Sequence, residues 1–274
     1  MAHTLKDLFK DVEDRRSPSA AVLLEQMSVN ARGLLGQSDV LEVLDAILDT
    51  LKEELQHQEE EEEGEALKPL KAALSGMRWS MQDMLLCGVC KQPLREYNPN
   101  IGEVLCVPVT KNPRGATGEA TTGHWLTTQM NNVFDPEDSD SATCCPRCHE
   151  KTISGERARV LRQSTLVSCP STLFVALKRA AWCPEMKRPI KIHDSVKIPT
   201  VLNMGPFSNE PGAVMYDLKG VIQHRGGSNS GHYKSFIRSQ DNKWTCFNDR
   251  EVTQGVQEGN VLNGDALIMR YAKR

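Results

Sequence analysis

Gly231-His232-Tyr233-Lys234-Ser235-Phe236-Ile237-Arg238 runs through a polar turn, Ser239 to Asn242, into Lys243-Trp244-Thr245-Cys246-Phe247-Asn248-Asp249. Aromatic and β-branched residues on both sides of turn residues predict two antiparallel strands. Such a hairpin brings the start of its first strand near the end of its second, so Asn248 comes beside His232. A histidine alone says little, because most are surface or satisfied core residues. An asparagine oxygen that accepts from the imidazole N–H changes that, since it fixes tautomer and ring orientation, as the base in thiol catalysis requires. Alternation puts Asn248 and Asp249 on opposite faces, so they share a task only if the strand ends between them.

Outward from this hairpin, the glycine-rich turn His224 to Ser230 follows another β-like run, YDLKGVIQH. TLFVALKR from Thr172, KIHDSVKIP and DALIMRY read the same way, and together they predict a mainly antiparallel sheet over the last hundred or so residues. The N-terminal part reads differently. Leu41, Leu44, Leu48, Leu51 and Leu55 recur at three- and four-residue steps, with Ser38 placed to cap and Asp39 in the first turn, which specifies an amphipathic helix from Ser38 to Gln56. Glu59 to Glu63 repel one another and should form a loop leading to a new element near Ala66. Helix first and strands later is an α+β arrangement, not an alternating βαβ one.

Between these parts, Cys87 to Cys148 loses helical periodicity and fills with Gly, Pro, Asn and Thr, which predicts short strands and long loops. Cys87-Gly-Val-Cys90 and Cys145-Pro-Arg-Cys148 are two Cys-x-x-Cys pairs, and four thiolates so arranged suit a closed tetrahedral structural zinc site. No thioredoxin-like βαβ context favours a redox role for either pair. Cys144 and His149 are adjacent spare ligands.

The chain has 274 residues, 39% hydrophobic and 25% charged, enough to bury a sizeable core. The N-terminal MAHTLKDLFKDVEDRR has no apolar core, and no long uncharged apolar run follows, so neither a signal peptide nor a membrane span is expected. A cytoplasmic or nuclear location is expected, and nine cysteines then read as thiols and metal ligands. The net charge of −3 hides an asymmetry. Acids dominate between Gly36 and Leu67, where Lys52 is the lone base, while the rest of the chain is mildly basic.

Taken together, these boxes resemble the catalytic domain of the ubiquitin-specific proteases, thiol deubiquitinases of the papain-like superfamily with thumb, palm and zinc-bearing fingers. Gly36-Gln37-Ser38-Asp39-Val40-Leu41-Glu42 resembles the Gln-x-Asp-x-x-Glu box that opens a thumb helix. The cysteine pairs resemble the finger ligands, Thr172 to Arg179 with Lys191 to Met204 the Leu-Lys-Arg-Phe strand pair, His224 to Tyr233 the histidine box, and Trp244 to Asp249 the box of the third catalytic residue. The resemblance implies one partial catalytic domain over 1–274, divided into thumb (1–66), fingers (67–168) and palm (169–274). It implies His232 as general base, Asn248 as its orienter and Asp249 as an assistant. Asp39 and Glu42 would pair with arginines in the tail of ubiquitin or a ubiquitin-like modifier, through charge-assisted bonds. As acids in a first helical turn, both also offset the helix dipole. Structural zinc would sit on Cys87, Cys90, Cys145 and Cys148.

Two departures accompany the match. Ala180 stands where phenylalanine closes Leu-Lys-Arg-Phe, and no cysteine precedes Cys87, although the family's nucleophile lies in a Gly-x-x-Cys-Tyr-x-Asn box upstream of everything matched. The expectation is therefore a domain that begins after its nucleophile. It removes a modifier from proteins when the upstream cysteine segment is present, and is inactive as written. The alternative is an inactive modifier-binding module. Cys246 shares a strand face with Asn248 but lacks the helix N-terminus that activates a thiol. The basic stretch Arg147 to Lys191 has little aromatic interleaving, so a nucleic-acid partner is not expected.

Overall fold

A computed structural model describes residues 40–57, 68–110, 124–140, 143, 145–148, 159–184, 186–227, 230–262 and 264–274. The chain divides into two compact units, Met1–Gly76 and Met77–Arg274.

In the first unit, helix α1 spans Val40–His57 and α2 spans Lys68–Ser75. The leucine periodicity of α1 is realised as a buried stripe. Leu48, Leu51 and Leu55 are buried and Leu41 and Leu44 half-buried, while Glu42, Asp45 and Asp49 face water. The expected capping residue Ser38 lies outside the described residues.

The second unit holds the strands β1 (Trp79–Cys87), β2 (Pro93–Glu96), β3 (Asn100–Gly102), β4 (Val104–Pro108), β5 (His124–Trp125), β6 (Glu137–Ser139), β7 (Val160–Ser168) and β8 (Thr172–Lys178). There follow β9 (Ala180–Cys183), β10 (Arg188–Lys191), β11 (Val196–Lys197), β12 (Val201–Asn203), β13 (Met215–Gly226), β14 (Gly231–Arg238), β15 (Trp244–Asn248), β16 (Glu251–Val256) and β17 (Ala266–Lys273). Helix α3 (Leu126–Phe134) and the short α4 (Glu258–Val261) complete it. A five-stranded sheet runs β2-β1-β7-β6 with β3 also on β1, and an eight-stranded sheet runs β16-β15-β14-β13-β17-β8-β4 with β12 also on β13. All pairings are antiparallel except β4 with β8 and β5 with β11.

The large sheet carries the core. β17 lies between β13 and β8, and its run Ala266-Leu267-Ile268-Met269 is buried on both faces, as a central strand requires. Leu173, Val175, Leu177, Tyr216, Leu218, Met269 and Tyr271 form one cluster with Leu126, Met130 and Phe134 of α3. That helix corrects the expectation of strands and loops alone between Cys87 and Cys148. Its apolar residues at four-residue steps sit among Thr and Asn, whose weak helix propensity hides the pattern and whose cost burial outweighs. Among the described residues no helix is long and apolar enough to cross a membrane.

Arg179 is buried directly after β8 and spends its guanidinium on backbone. It donates to the carbonyls of Ala266 (3.1 Å), Ile192 (3.2 Å), Asp194 (2.7 Å) and Gly264 (2.9 Å). The segment after β10 is thereby tied to the entrance of β17. Desolvation lowers the pKa of this guanidinium.

Candidate functional site

β13 and β14 pair His224 with Tyr233, Arg225 with His232 and Gly226 with Gly231, so His232 stands one pair from the turn that joins these strands. β14 pairs with β15 through Phe236 opposite Cys246 and Ser235 opposite Phe247. Continued by one step, this register sets Asn248 opposite Lys234, on the face that also carries His232. The side chains meet there, with His232 Nε2 2.5 Å from Asn248 Oδ1. An amide oxygen only accepts, so Nε2–H is the donor and Nδ1 is left with its lone pair. The ring is thus oriented with its basic nitrogen turned away from Asn248.

β15 ends at Asn248, and Asp249 takes φ 53°, a left-handed conformation that a short polar residue tolerates in a tight turn. Because the strand stops there, alternation no longer holds Asp249 on the opposite face. Its Oδ2 lies 3.9 Å from His232 Nε2, but with 78% of the side chain in water it acts through a screened field and not a fixed bond.

Cys246 shares the face of Asn248, as expected, but further in it packs against the core cluster and is only half-exposed. Its cross-strand partner Phe236 is four residues beyond His232, about 13 Å along the strand. Cys246 is a core thiol, too far along the strand for His232 to take its proton. Glu42 lies exposed in the first turn of α1. Asp39 lies outside the described residues, as do Cys144 and His149.

The glycine-rich turn is shaped by close approach. At Gly231 a Cβ would come within 2.0 Å of His224 Nε2 and 2.8 Å of the Arg225 carbonyl, so this position admits no side chain. Two supporting residues went unnoticed in the sequence. Lys191 and His224 meet beneath this turn at 3.0 Å, and spacing offered no signal because the contact joins β10 to the end of β13.

The second site lies at the end of β1. The Sγ atoms of Cys87, Cys90, Cys145 and Cys148 all lie within 4.8 Å of one another, and Cys90 and Cys145 are 3.7 Å apart. A tetrahedron with Zn–S of about 2.3 Å has sulfurs about 3.8 Å apart, so the cluster fits zinc. Local backbone builds it. Lys91 takes φ 58° and returns its N–H to the Cys87 carbonyl at 2.9 Å, while Gly88 N–H reaches Arg159 O at 2.7 Å. Without a metal, Cys87 and Cys148 are pushed in opposite directions. The Cys90 backbone N–H brings Cys87 down to about 7, whereas hydrogen bonding to Cys90, then burial, pushes Cys148 up to about 12. Four thiolates cannot share this space without a cation.

The family model described as ubiquitin carboxyl-terminal hydrolase matches residues 1–271. The probable ubiquitin carboxyl-terminal hydrolase 16 of Schizosaccharomyces pombe is 25% identical over 71% of this chain and 38% of its own length. The ubiquitin carboxyl-terminal hydrolase 51 of Mus musculus is 26% identical over 92% of this chain and 41% of its own. The chain therefore spans well under half the length of these relatives. Among solved structures, the SAGA Ubp8/Sgf11/Sus1/Sgf73 DUB module bound to ubiquitin aldehyde superposes with a TM-score of 0.69 at 19% identity, over 87% of this chain and 50% of the other. That likeness concerns the fold.

Proposed function

The chain belongs to the ubiquitin carboxyl-terminal hydrolase family, and from that premise we propose that it serves in thiol-dependent removal of ubiquitin or a ubiquitin-like modifier from proteins. The observation that carries the reading is the His232–Asn248 pair, with Nε2–H fixed on Oδ1 at 2.5 Å and Nδ1 left basic. His232 takes the proton of a cysteine thiol through Nδ1. The thiolate attacks the carbonyl of the modifier's terminal glycine, and as the C–N bond breaks to leave a glycyl thioester His232 returns the proton to the leaving amine. Water then hydrolyses the thioester with His232 again as base. Asn248 keeps the ring in one tautomer throughout, and Asp249 assists from the surface. Asp39 and Glu42 pair with arginines of the modifier tail. Zinc on the four cysteines is structural.

In this reading Cys246, packed against the core cluster, is not the thiol that His232 serves. Relatives bearing hydrolase names and a structural neighbour bound to ubiquitin aldehyde support the substrate class. The test is a pair of assays on the purified 274-residue protein. Binding of ubiquitin or a ubiquitin-like protein by calorimetry is expected, with no turnover of a fluorogenic modifier substrate. Extension by a segment carrying Gly-x-x-Cys-Tyr-x-Asn should restore turnover, and His232→Ala should abolish it. Turnover by the 274 residues alone, lost in Cys246→Ala, would overturn the assignment. Binding without turnover even in the extended protein would favour an inactive modifier-binding module.

A further inference from the structure

Lys191, the last residue of β10, sits beneath the glycine-rich turn that leads into β14. Its ammonium has three N–H donors, and three acceptors surround it: His224 Nδ1 at 3.0 Å, the His224 carbonyl at 2.9 Å and the Gly226 carbonyl at 2.9 Å. A lysine ammonium only donates, so Nδ1 accepts and His224 is held neutral with its proton on Nε2. The same ring stacks on Tyr233, centroids 4.4 Å apart and planes 25° from parallel, and its Nε2 edge abuts Gly231. Gly231 and Tyr233 are the chain neighbours of His232 on either side. One ring, pinned by one ammonium, therefore bears on both residues that set the backbone of the proposed base.

Beyond the ladder pair of Gly226 with Gly231, the described glycines of the turn do little to restrain it. Gly226 takes φ 135°, and a Cβ at Gly227 would meet nothing within 4 Å. Glycine is the most conformationally free residue, so a segment of this kind holds one shape only when something outside it does the holding. Lys191 is itself well held, because Arg179 donates to the carbonyl of the next residue, Ile192. Burial pushes its ammonium below the ordinary lysine value and Arg179 adds to this, opposed by Asp265, which also pairs with Arg225 at 3.1 Å.

We propose that Lys191 and His224 are positioning residues, a latch between β10 and the end of β13 that fixes Gly231 and Tyr233 and so holds His232 where its ring meets Asn248. The inference rests on His232 being the base, but its test does not need catalysis. In imidazole nitrogen NMR spectra of the zinc-loaded 274-residue protein, His224 should show the Nε2–H tautomer with an accepting Nδ1. The His232 ring N–H should exchange slowly with water. Lys191→Met keeps the stem and removes the donors, and His224→Leu removes the acceptor and the ring. Each should speed His232 N–H exchange about tenfold, the factor that roughly one hydrogen bond's net worth allows. The double variant should do no more than either single, as expected of two residues acting through one contact. His224→Asn, whose amide oxygen can stand where Nδ1 stands, should recover part of the slow exchange, which a general loss of packing would not explain. If Lys191→Met does not fold, His224→Leu against His224→Asn decides. A His232 proton that stays slow in the single variants, or effects that add in the double, would overturn the latch while leaving the base assignment intact. A His232 ring with no bond to Asn248 in the unmodified protein would overturn the base assignment, and the latch with it.

Discussion

Removal of zinc from Cys87, Cys90, Cys145 and Cys148 should lower the stability of the second unit by an amount that the chain's connectivity sets. Cys90 and Cys145 are 55 positions apart, and a cross-link closing a loop of that size restricts the unfolded chain by about 4 kcal/mol. The sulfurs already stand at tetrahedral spacing, so little of that figure is lost to native strain. For a unit of about 200 residues, each kcal/mol moves the melting temperature by about 2–4 °C, which predicts a fall of about 8–16 °C. Binding to unfolded thiols would reduce the effect. The assay is metal content by mass spectrometry with melting curves taken before and after chelation, repeated on Cys90→Ser. One zinc per chain and a chelator-sensitive melt are expected. The sign of the pH dependence follows from the ligands. Zinc displaces thiol protons, so affinity should fall with falling pH. Melting curves that coincide with and without chelator, in protein carrying stoichiometric zinc, would refute the clip. So would four freely reactive thiols in protein purified with zinc present.

Two further outcomes follow from charged side chains. Arg179→Met leaves four backbone carbonyls without their common donor, and should cost about 3 kcal/mol in urea unfolding; a change within error would mean that water replaces the guanidinium freely. Glu210 accepts from Lys273 at 2.6 Å and from the Cys169 N–H at 2.7 Å, and the Lys273 bond first, then the backbone bond against some burial, holds its carboxyl below the usual range. A depressed carboxyl contributes stability above its unfolded pKa and loses it as pH falls through the folded one. The gap in unfolding free energy between the native chain and Glu210→Gln should therefore be full at pH 7 and close below about pH 4.5; a gap that is constant through acid would refute the assignment.

The parts of the fold legible in the sequence are those that periodicity or turn chemistry writes locally. The leucines of α1, the β-like apolar run from Thr172 to Lys178 and the hairpin from Gly231 to Asn248 each carry their own pattern, and each forms as read. The four-cysteine site was legible because metal ligands have a spacing of their own. What escaped depends on context. α3 is a helix because the core offers Leu126, Met130 and Phe134 a surface, and its Thr and Asn residues gave no hint of this. β16 is exposed almost throughout, so no apolar alternation marks it, and it forms because β15 presents an unpaired edge. The contact of Lys191 with His224 joins elements whose proximity is a matter of topology, which no local pattern encodes.

The geometry of the His232–Asn248 pair is itself a product of the core. Phe236 and Trp244 are buried and Cys246 packs against the same cluster, and these three fix the register between β14 and β15. A slip of β15 by one residue would turn Trp244 and Cys246 out to water and carry Asn248 to the opposite face of the sheet. Burial of a large aromatic contributes about 1.5–3 kcal/mol, so exposure of Trp244 alone opposes the slip by about that much before any polar contact at the site is considered. The 2.5 Å bond is therefore not what places the asparagine; the hydrophobic face of the hairpin places it, and the bond then selects the tautomer. Tight placement at the open end of a hairpin also explains the division of labour between neighbours. Asn248 belongs to the strand and inherits its register, whereas Asp249 belongs to the turn and inherits only proximity, and so the fixed bond falls to the amide and the screened charge to the carboxylate.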